Sequence, residues 1–492
     1  MRVNGTLLFT FGAYLLFMLA IGVYFYRKNK NLGDYVLGGR NLNSWVTAMS
    51  ASASDMSGWL LLGLPGWAYA SGLGEAGWIA IGLLIGTYCN WRFVAKRLRE
   101  YTEKAQNSLT ISDFFENRFN DKTKILRILS AIVILVFFLI YTASGFVAGA
   151  KLFNTVFGLP YQTALIAGVI VIVSYTFLGG FNAVSWTDFF QGSLMFIAIT
   201  FVPVFAFVSL GGVTSALDQI NRVNPNFISL TTYLDGSKIS LITILSMMAW
   251  GLGYFGQPHI LVRFMAIRST KQVKQARIIA TAWTAISLVG AIFVGMLGFV
   301  YLKTPLSGAA SETVFMVMIN SLFHPLVAGL LLSAILAAIM STADSQLLVA
   351  SSALSQDLYH VLLRRNATDK ELVLTSRLAV ILIAVFAALL AVDPNSNVLI
   401  LVSYAWAGFG ASFGPAILLS LMWKRMTRNG ALAGMISGGL TVILWKNLSG
   451  GIFDLYELLP AFIIALIAII SVSFLDRSPS SEVTTLFEQI EK

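Results

Sequence analysis

Thirteen stretches of this chain are long and apolar enough to cross a bilayer, and the segments between them are too short to fold on their own. A crossing helix needs about 20 mostly apolar residues. Such runs lie at roughly 5–26, 43–70, 74–95, 125–150, 161–180, 187–210, 240–264, 276–302, 326–357, 373–392, 397–423, 429–448 and 458–475, and are called spans 1 to 13. The longest polar stretches are about 96–123, 213–239 and 303–325. Residues 1–476 therefore read as one transmembrane domain, followed by a short polar tail at 477–492. Only 11% of residues are charged, against about 25% in soluble domains. That excludes a soluble enzyme, a disordered chain and a fibrous repeat. The single cysteine, Cys89, excludes a disulfide framework and a cysteine-ligated zinc site. The first run does not read as a cleaved leader: it is too long, carries no charge before it beyond Arg2, and lacks an A-x-A site.

Basic residues orient the chain, because lysine and arginine collect in cytoplasmic loops. With the N-terminus outside, the inside segments hold 27 of the 33 basic residues. Among them are Arg27, Lys28 and Lys30, and Arg268, Lys271 and Lys274. Only Arg2, Lys151, Arg222, Lys238, Lys303 and Lys446 fall outside. The expectation is a multi-pass protein of a bacterial plasma (inner) membrane, N-terminus out and C-terminus in. The net charge of +10 then belongs to loops beside a lipid bilayer, not to a nucleic-acid surface.

Two spans are interrupted by small residues. Span 2 carries Ala53-Ser54-Asp55-Met56-Ser57-Gly58-Trp59, and span 7 carries Trp250-Gly251-Leu252-Gly253-Tyr254-Phe255-Gly256-Gln257-Pro258. Irregular backbone is tolerated at membrane depth only where protein or a wet cavity satisfies it. Paired interruptions in corresponding positions point to a transporter binding site. These two lie five spans apart, which predicts two inverted five-helix repeats, at about 43–210 and 240–423, with peripheral helices. Spans 4 and 9 carry Tyr141-Thr142-Ala143-Ser144 and Ala338-Ile339-Met340-Ser341-Thr342. Such hydroxyl runs serve either as packing glue or as hard oxygens for an alkali cation.

Asp55 sits inside the first break, either handling ions or capping the second half-helix. Asp188, expected at the start of span 6, reads as a helix N-terminal acid or a gate residue. Arg40, at the mouth of span 2, reads as a topology charge or a gate residue. Asp344 and Asp357 are expected to be solvated, and 311–323 to form a helix over the outer mouth. No nucleotide-binding loop and no H-E-x-x-H occurs. The chain reads as a transporter driven by an ion gradient or passive, and not as an enzyme.

The run Gly179-Gly180-Phe181-Asn182-Ala183-Val184-Ser185-Trp186-Thr187-Asp188, the span 2 break, and the stretch ending Gln257-Pro258-His259-Ile260-Leu261-Val262-Arg263-Phe264 resemble the sodium:solute symporter family, and within it the sodium/proline branch. The resemblance implies an all-α, LeuT-type core of about 13 helices with sodium as the coupling ion and no other cofactor. It implies a sodium site made of the Ala53, Met56 and Ala338 carbonyls with the Ser341 and Thr342 hydroxyls. Asp55, Ser57 and Gly58 match further positions that affect sodium. Trp59, Tyr141, Trp250, Tyr254 and Pro258 match positions around L-proline, and Arg40, Asp188 and Arg377 match charged positions that matter for turnover. Another small solute (pantothenate, a sugar, an organic acid) is the alternative substrate.

Overall fold

A computed structural model of the chain describes residues 5–26, 32–178 and 180–491. Arg2, Arg27, Lys28, Lys30, Gly179 and Lys492 lie outside them. The described residues form helices and connections, with two isolated β-bridges and no strand. Each expected span coincides with helix: Gly5–Tyr26, then Ser44–Asp55 with Leu64–Ser71, Leu73–Cys89, Ile125–Phe157, Tyr161–Leu178, Phe181–Ser209, Leu241–Met248 with Pro258–Ala266, Val273–Tyr301, Pro325–Ser352, Asp369–Leu390, Val398–Met422, Arg428–Trp445 and Leu458–Leu475. Nine described helices are long and apolar enough to cross a membrane unaided. Spans 2, 5, 7 and 12 fall short of that measure. Spans 2 and 7 do so because each is cut into pieces.

Span 2 is helical to Asp55, and Met56 leaves the helix with φ −86° and ψ 79°. The chain re-enters through a wide π turn at Trp59–Gly63. Span 7 passes through eight residues of 3₁₀ helix, Ala249–Gly256. Such runs are uncommon beyond three or four residues and mark strained or functional segments. It then restarts at Pro258, whose fixed φ and missing N–H suit a first helical position.

Burial sorts core from periphery. In spans 9 and 11 the most apolar window is 83% buried, against 22% in span 1. Span 10 turns Leu378, Ile381, Leu382, Val385 and Phe386 outward, an apolar face suited to lipid. The first half of span 2 packs against spans 6, 7, 8 and 9, and span 7 lies between spans 3 and 11.

The connection after span 8 contains the expected helix, Val314–Leu322. Just before it, Glu312 is buried, 2.6 Å from Lys151 Nζ of span 4. Its carboxylate also accepts from the Val398 and Leu399 amides, both 3.2 Å, at the start of span 11. An acid there complements the N-terminal end of the helix dipole.

Spans 3 and 7 touch through bare backbone. A Cβ added at Gly86 would stand 2.2 Å from the Gly251 carbonyl oxygen. Gly82 and Gly86 thus form a small-x-x-x-small seam that lets the backbones approach. Gly86→Ala is expected to cost about 1–3 kcal/mol through overpacking. It should lower the unfolding temperature of the detergent-solubilised protein. An unchanged melting curve would mean that this seam is loose.

Candidate functional site

A helix that stops at Asp55 leaves its last carbonyls without the amides four residues on. Side chains from other spans supply the missing donors. The Ala53 carbonyl accepts Ser341 Oγ at 2.8 Å and Thr342 Oγ1 at 3.3 Å, both from span 9. Ser341 Oγ is also 3.2 Å from the Ala338 carbonyl. The Asp55 carbonyl accepts Trp59 Nε1 at 3.0 Å, the Ser57 amide at 3.0 Å and Tyr141 OH at 3.4 Å. Ser57 Oγ in turn accepts the Trp59 amide at 3.3 Å. Gly58 brings the break against Ala148 and Ile339. Ala53, Ala338, Ser341 and Thr342 therefore come together, with Met56 and Ser57 at the break beside them. All are buried.

The Asp55 side chain points elsewhere. Its Oδ2 accepts Tyr254 OH of span 7 at 2.6 Å. It caps no helix: the second half-helix begins beyond Gly58, without a side-chain cap. Trp59 and Trp250 lie with ring centroids 6.5 Å apart, so Trp59, Tyr141, Trp250 and Tyr254 gather around the two breaks. Pro258 does not join them. It lines a separate cavity of about 20 Å³ with Val36, Ile111, Ile134, Val262 and Leu348.

Two further aromatics were not anticipated. Tyr456, just before span 13, stacks on Trp250 at 5.5 Å. Trp406 of span 11 donates its Nε1 to the Trp250 carbonyl at 2.8 Å and packs edge-on to Tyr254 at 5.1 Å. It fits where span 7 has no side chain: a Cβ on Gly253 would fall 1.8 Å from its indole nitrogen. The glycine spacing of span 7 was the signal for a bulky partner there.

Several acids sit deeper than expected. Span 6 starts at Phe181, so Asp188 lies two turns into the helix and is not a helix N-terminal acid. It is fully buried and accepts Ser50 Oγ at 2.6 Å, Ser54 Oγ at 3.1 Å and Arg263 Nη2 at 3.2 Å. Arg263, also fully buried, lies over the Phe181 ring at 5.1 Å and reaches Ser345 Oγ at 2.5 Å. This binds the signature run to spans 2, 7 and 9. Asp344 and Asp357 are buried too, not solvated. Asp344 accepts Ser345 Oγ at 3.3 Å. Asp357 is held by Arg127 Nε at 2.7 Å, in a cluster with Asp113 and Glu116. Apolar flanks hid the partners of Asp188 and Asp357, which lie on other helices, 75 to 230 residues away.

Arg40 is more than a surface charge. With φ at 53°, it donates to Asn107, Thr102, the Met265 carbonyl and the Ser108 carbonyl at 2.7–3.1 Å. Beside it the Arg268 amide donates to the Leu42 carbonyl at 2.8 Å. These contacts close the entry of span 2 onto the exit of span 7. Arg377, on span 10, lies against Tyr35 in the segment that leads into span 2.

Two broken helices side by side, with hydroxyl oxygens on one flank and aromatic rings on the other, define a broken-helix secondary transporter. The family model described as "Sodium:solute symporter family" matches residues 35–438, and the chain belongs to that family. It is 53% identical to the high-affinity proline transporter PutP of Bacillus subtilis, covering 96% of this chain and 98% of that one. It is 51% identical to the sodium/proline symporter of Escherichia coli, covering 99% and 97%. Among solved structures, a Na+-coupled sialic acid symporter in a substrate-bound outward-open state matches with TM-score 0.81 at 19% identity, covering 97% of this chain and all of that one. Mhp1, a nucleobase-cation-symport-1 transporter, matches at 0.54 and 14% identity, covering 94% and 99%. The fold is the LeuT-type core of two inverted repeats with peripheral helices.

Ser341→Ala or Thr342→Ala removes one oxygen and leaves the backbone carbonyls in place. Each is expected to raise the sodium concentration for half-maximal uptake about tenfold or more, the equivalent of about 1.4 kcal/mol. Wild-type sodium dependence in both variants would move the ion away from span 9.

Proposed function

We propose that this chain carries L-proline into the cell together with sodium, by alternating access. The observation that carries the reading is the break of span 2. Its Ala53 carbonyl meets Ser341 and Thr342, while Asp55 and Trp59 meet Tyr254 and Trp250. One break thus joins an oxygen cluster to an aromatic one, so that occupying either alters the other. The relatives named as proline transporters, about half identical over nearly the whole chain, support proline as the solute.

In this reading sodium is held by the carbonyls of Ala53, Met56 and Ala338 and the hydroxyls of Ser341 and Thr342. The hydroxyls now donate to Ala53. They rotate to offer lone pairs when the ion arrives, and the ion then ties span 2 to span 9. Asp55, Ser57 and Gly58 hold the break in shape for it. The proline carboxylate meets the N-terminal end of the second half-helix of span 2. The ring and ammonium meet the faces of Trp59, Tyr141, Trp250 and Tyr254. Pro258 lines the path on the far side of the span 7 break. Arg40, Asp188 and Arg377 belong to the contacts that hold the closed face. Thirteen spans, with the N-terminus outside and the tail from 477 in the cytoplasm of a bacterium, place that closed face inside.

Uptake of labelled proline into proteoliposomes tests the reading. A sodium gradient should drive accumulation, and a potassium gradient should not. Tyr254→Ala and Trp250→Ala are expected to raise the proline concentration for half-maximal uptake roughly tenfold, within the range of aromatic and cation–π contacts. Their sodium dependence should shift less than that of Ser341→Ala. Competition by glucose or pantothenate, with none by proline, would refute the substrate and leave sodium coupling standing.

Orientation is checked separately. On a Cys89→Ser background, single cysteines at 213–239 should react with an impermeant thiol reagent added outside, and those at 265–272 should not. The reverse pattern would invert the topology.

A further inference from the structure

The outward faces of spans 3 and 8 do not close on each other. Between them runs an open groove of about 570 Å³. Leu84, Ile85 and Tyr88 of span 3 form one wall, and Thr281, Ala282 and Ala285 of span 8 line the other. The furrow exists because span 8 carries small side chains there, whereas Ile85 and Ile278 beside it stand 50% and 60% exposed. From Arg277 to Ala285 it follows the helix for about 12 Å.

One end of this apolar groove is charged. Arg277, near the start of span 8, holds its guanidinium carbon 5.4 Å from the centre of the Tyr88 ring. Among the described residues it has no hydrogen-bond or ion-pair partner. Lys274 and Arg92, both exposed, stand about one turn farther toward the basic ends of the same two segments. No acidic residue occurs from 236 to 311, nor from 76 to 99. Thr281, one turn deeper than Arg277, has a hydroxyl with no hydrogen-bond partner within the protein.

These features select one kind of occupant. An apolar furrow at membrane depth takes a hydrocarbon chain, and any lipid supplies one. The guanidinium asks for more, because its planar fork fits the oxygens of a phosphate. The Tyr88 ring already orients it by a cation–π contact. A zwitterionic lipid brings a cation of its own, which Lys274 and Arg92 would oppose. A headgroup whose only charge is negative suits all three. Basic pockets between membrane helices receive anionic headgroups in this way.

We propose that the groove between spans 3 and 8 holds one anionic phospholipid of the phosphatidylglycerol kind. Its phosphate lies on Arg277, and the upper part of one acyl chain lies against Ile85, Ala282 and Ala285. By a change of rotamer the Thr281 hydroxyl then donates to an ester oxygen. Span 3 meets the backbone of span 7 through Gly82 and Gly86 on another face, so the lipid backs the helix that abuts the break. The proposal is independent of which solute is carried.

Native mass spectrometry of the purified full-length protein tests it, with dioleoyl-phosphatidylglycerol or dioleoyl-phosphatidylcholine added to the detergent. Wild type should retain one phosphatidylglycerol, at least fivefold more than phosphatidylcholine. Arg277→Gln should abolish that preference, and Arg277→Lys, which keeps the charge, should retain part of it. Ala282→Trp fills the furrow without altering any charge and should lower retention of phosphatidylglycerol at least fivefold. Melting curves guard against misfolding: phosphatidylglycerol should raise the unfolding temperature of wild type and leave that of Arg277→Gln unchanged. Equal retention of the two lipids by wild type would overturn the proposal. So would an undiminished preference in Arg277→Gln, or displacement of the lipid by inorganic phosphate, which would mark a phosphate site indifferent to the chain. A dimer that forms without lipid and is lost in Ala282→Trp would give the groove to a second copy and overturn it as well.

Discussion

Backbone carbonyls set free at membrane depth, and the need to satisfy them, organise this molecule. Span 2 stops at Asp55, buried among other helices. Each carbonyl there must find a donor or pay a desolvation cost of a few kcal/mol. The donors come from spans 4 and 9 and from Trp59 itself. Those from spans 4 and 9 each tether the break to a neighbouring helix. A ligand that takes over such a carbonyl also takes over its tether. That is how a small ion gains leverage on helices many times its size.

The buried charges follow the same rule with larger stakes. Asp188 and Arg263 are both fully buried, and two ions taken out of water together are at best modestly stabilising. Their worth lies in specificity. With Ser50, Ser54 and Ser345 they join spans 2, 6, 7 and 9 at one point. Replacing one member would strand the others without partners. Glu312 does the same near the opposite ends of the helices, joining Lys151 to the start of span 11. Polar knots of this kind fix which helices are neighbours where apolar packing alone would leave several arrangements nearly equal.

Much of the architecture was legible because bilayer thickness turns composition into length. The two breaks, their five-span offset and the hydroxyls of span 9 stand in the chain as local patterns. What was not legible depends on distant partners. Asp344 and Asp357 look solvated when only their neighbours are counted, yet Asp357 closes on Arg127, 230 residues away. Asp188 reads as a helix start when span 6 begins at about 187, whereas the helix already runs from Phe181. Trp406 and Tyr456 were missed because nothing near them says which helix they face. The notch at Gly253 that receives Trp406 is visible only from the other side. Pro258 is grouped with the aromatics by the family resemblance, which does not say which cavity it lines. A helix that restarts after an irregular turn presents its first residue to a different cavity.

The contact of Gly82 and Gly86 with the backbone of span 7 has a mechanical consequence. Side chains can trade rotamers when two helices shift, so an ordinary interface yields by degrees. Here carbonyl oxygens and α-carbons meet with nothing between them, and no rotamer remains to absorb a displacement. Span 3 and the first half of span 7 must then travel as a single rigid strut. The compliance is concentrated at the next joint, Gln257, where the chain is extended before Pro258. A hinge set so close to a welded seam makes the transition between the two faces of the membrane abrupt: intermediate tilts of span 7 would have to break backbone contacts, and few of them would be stable.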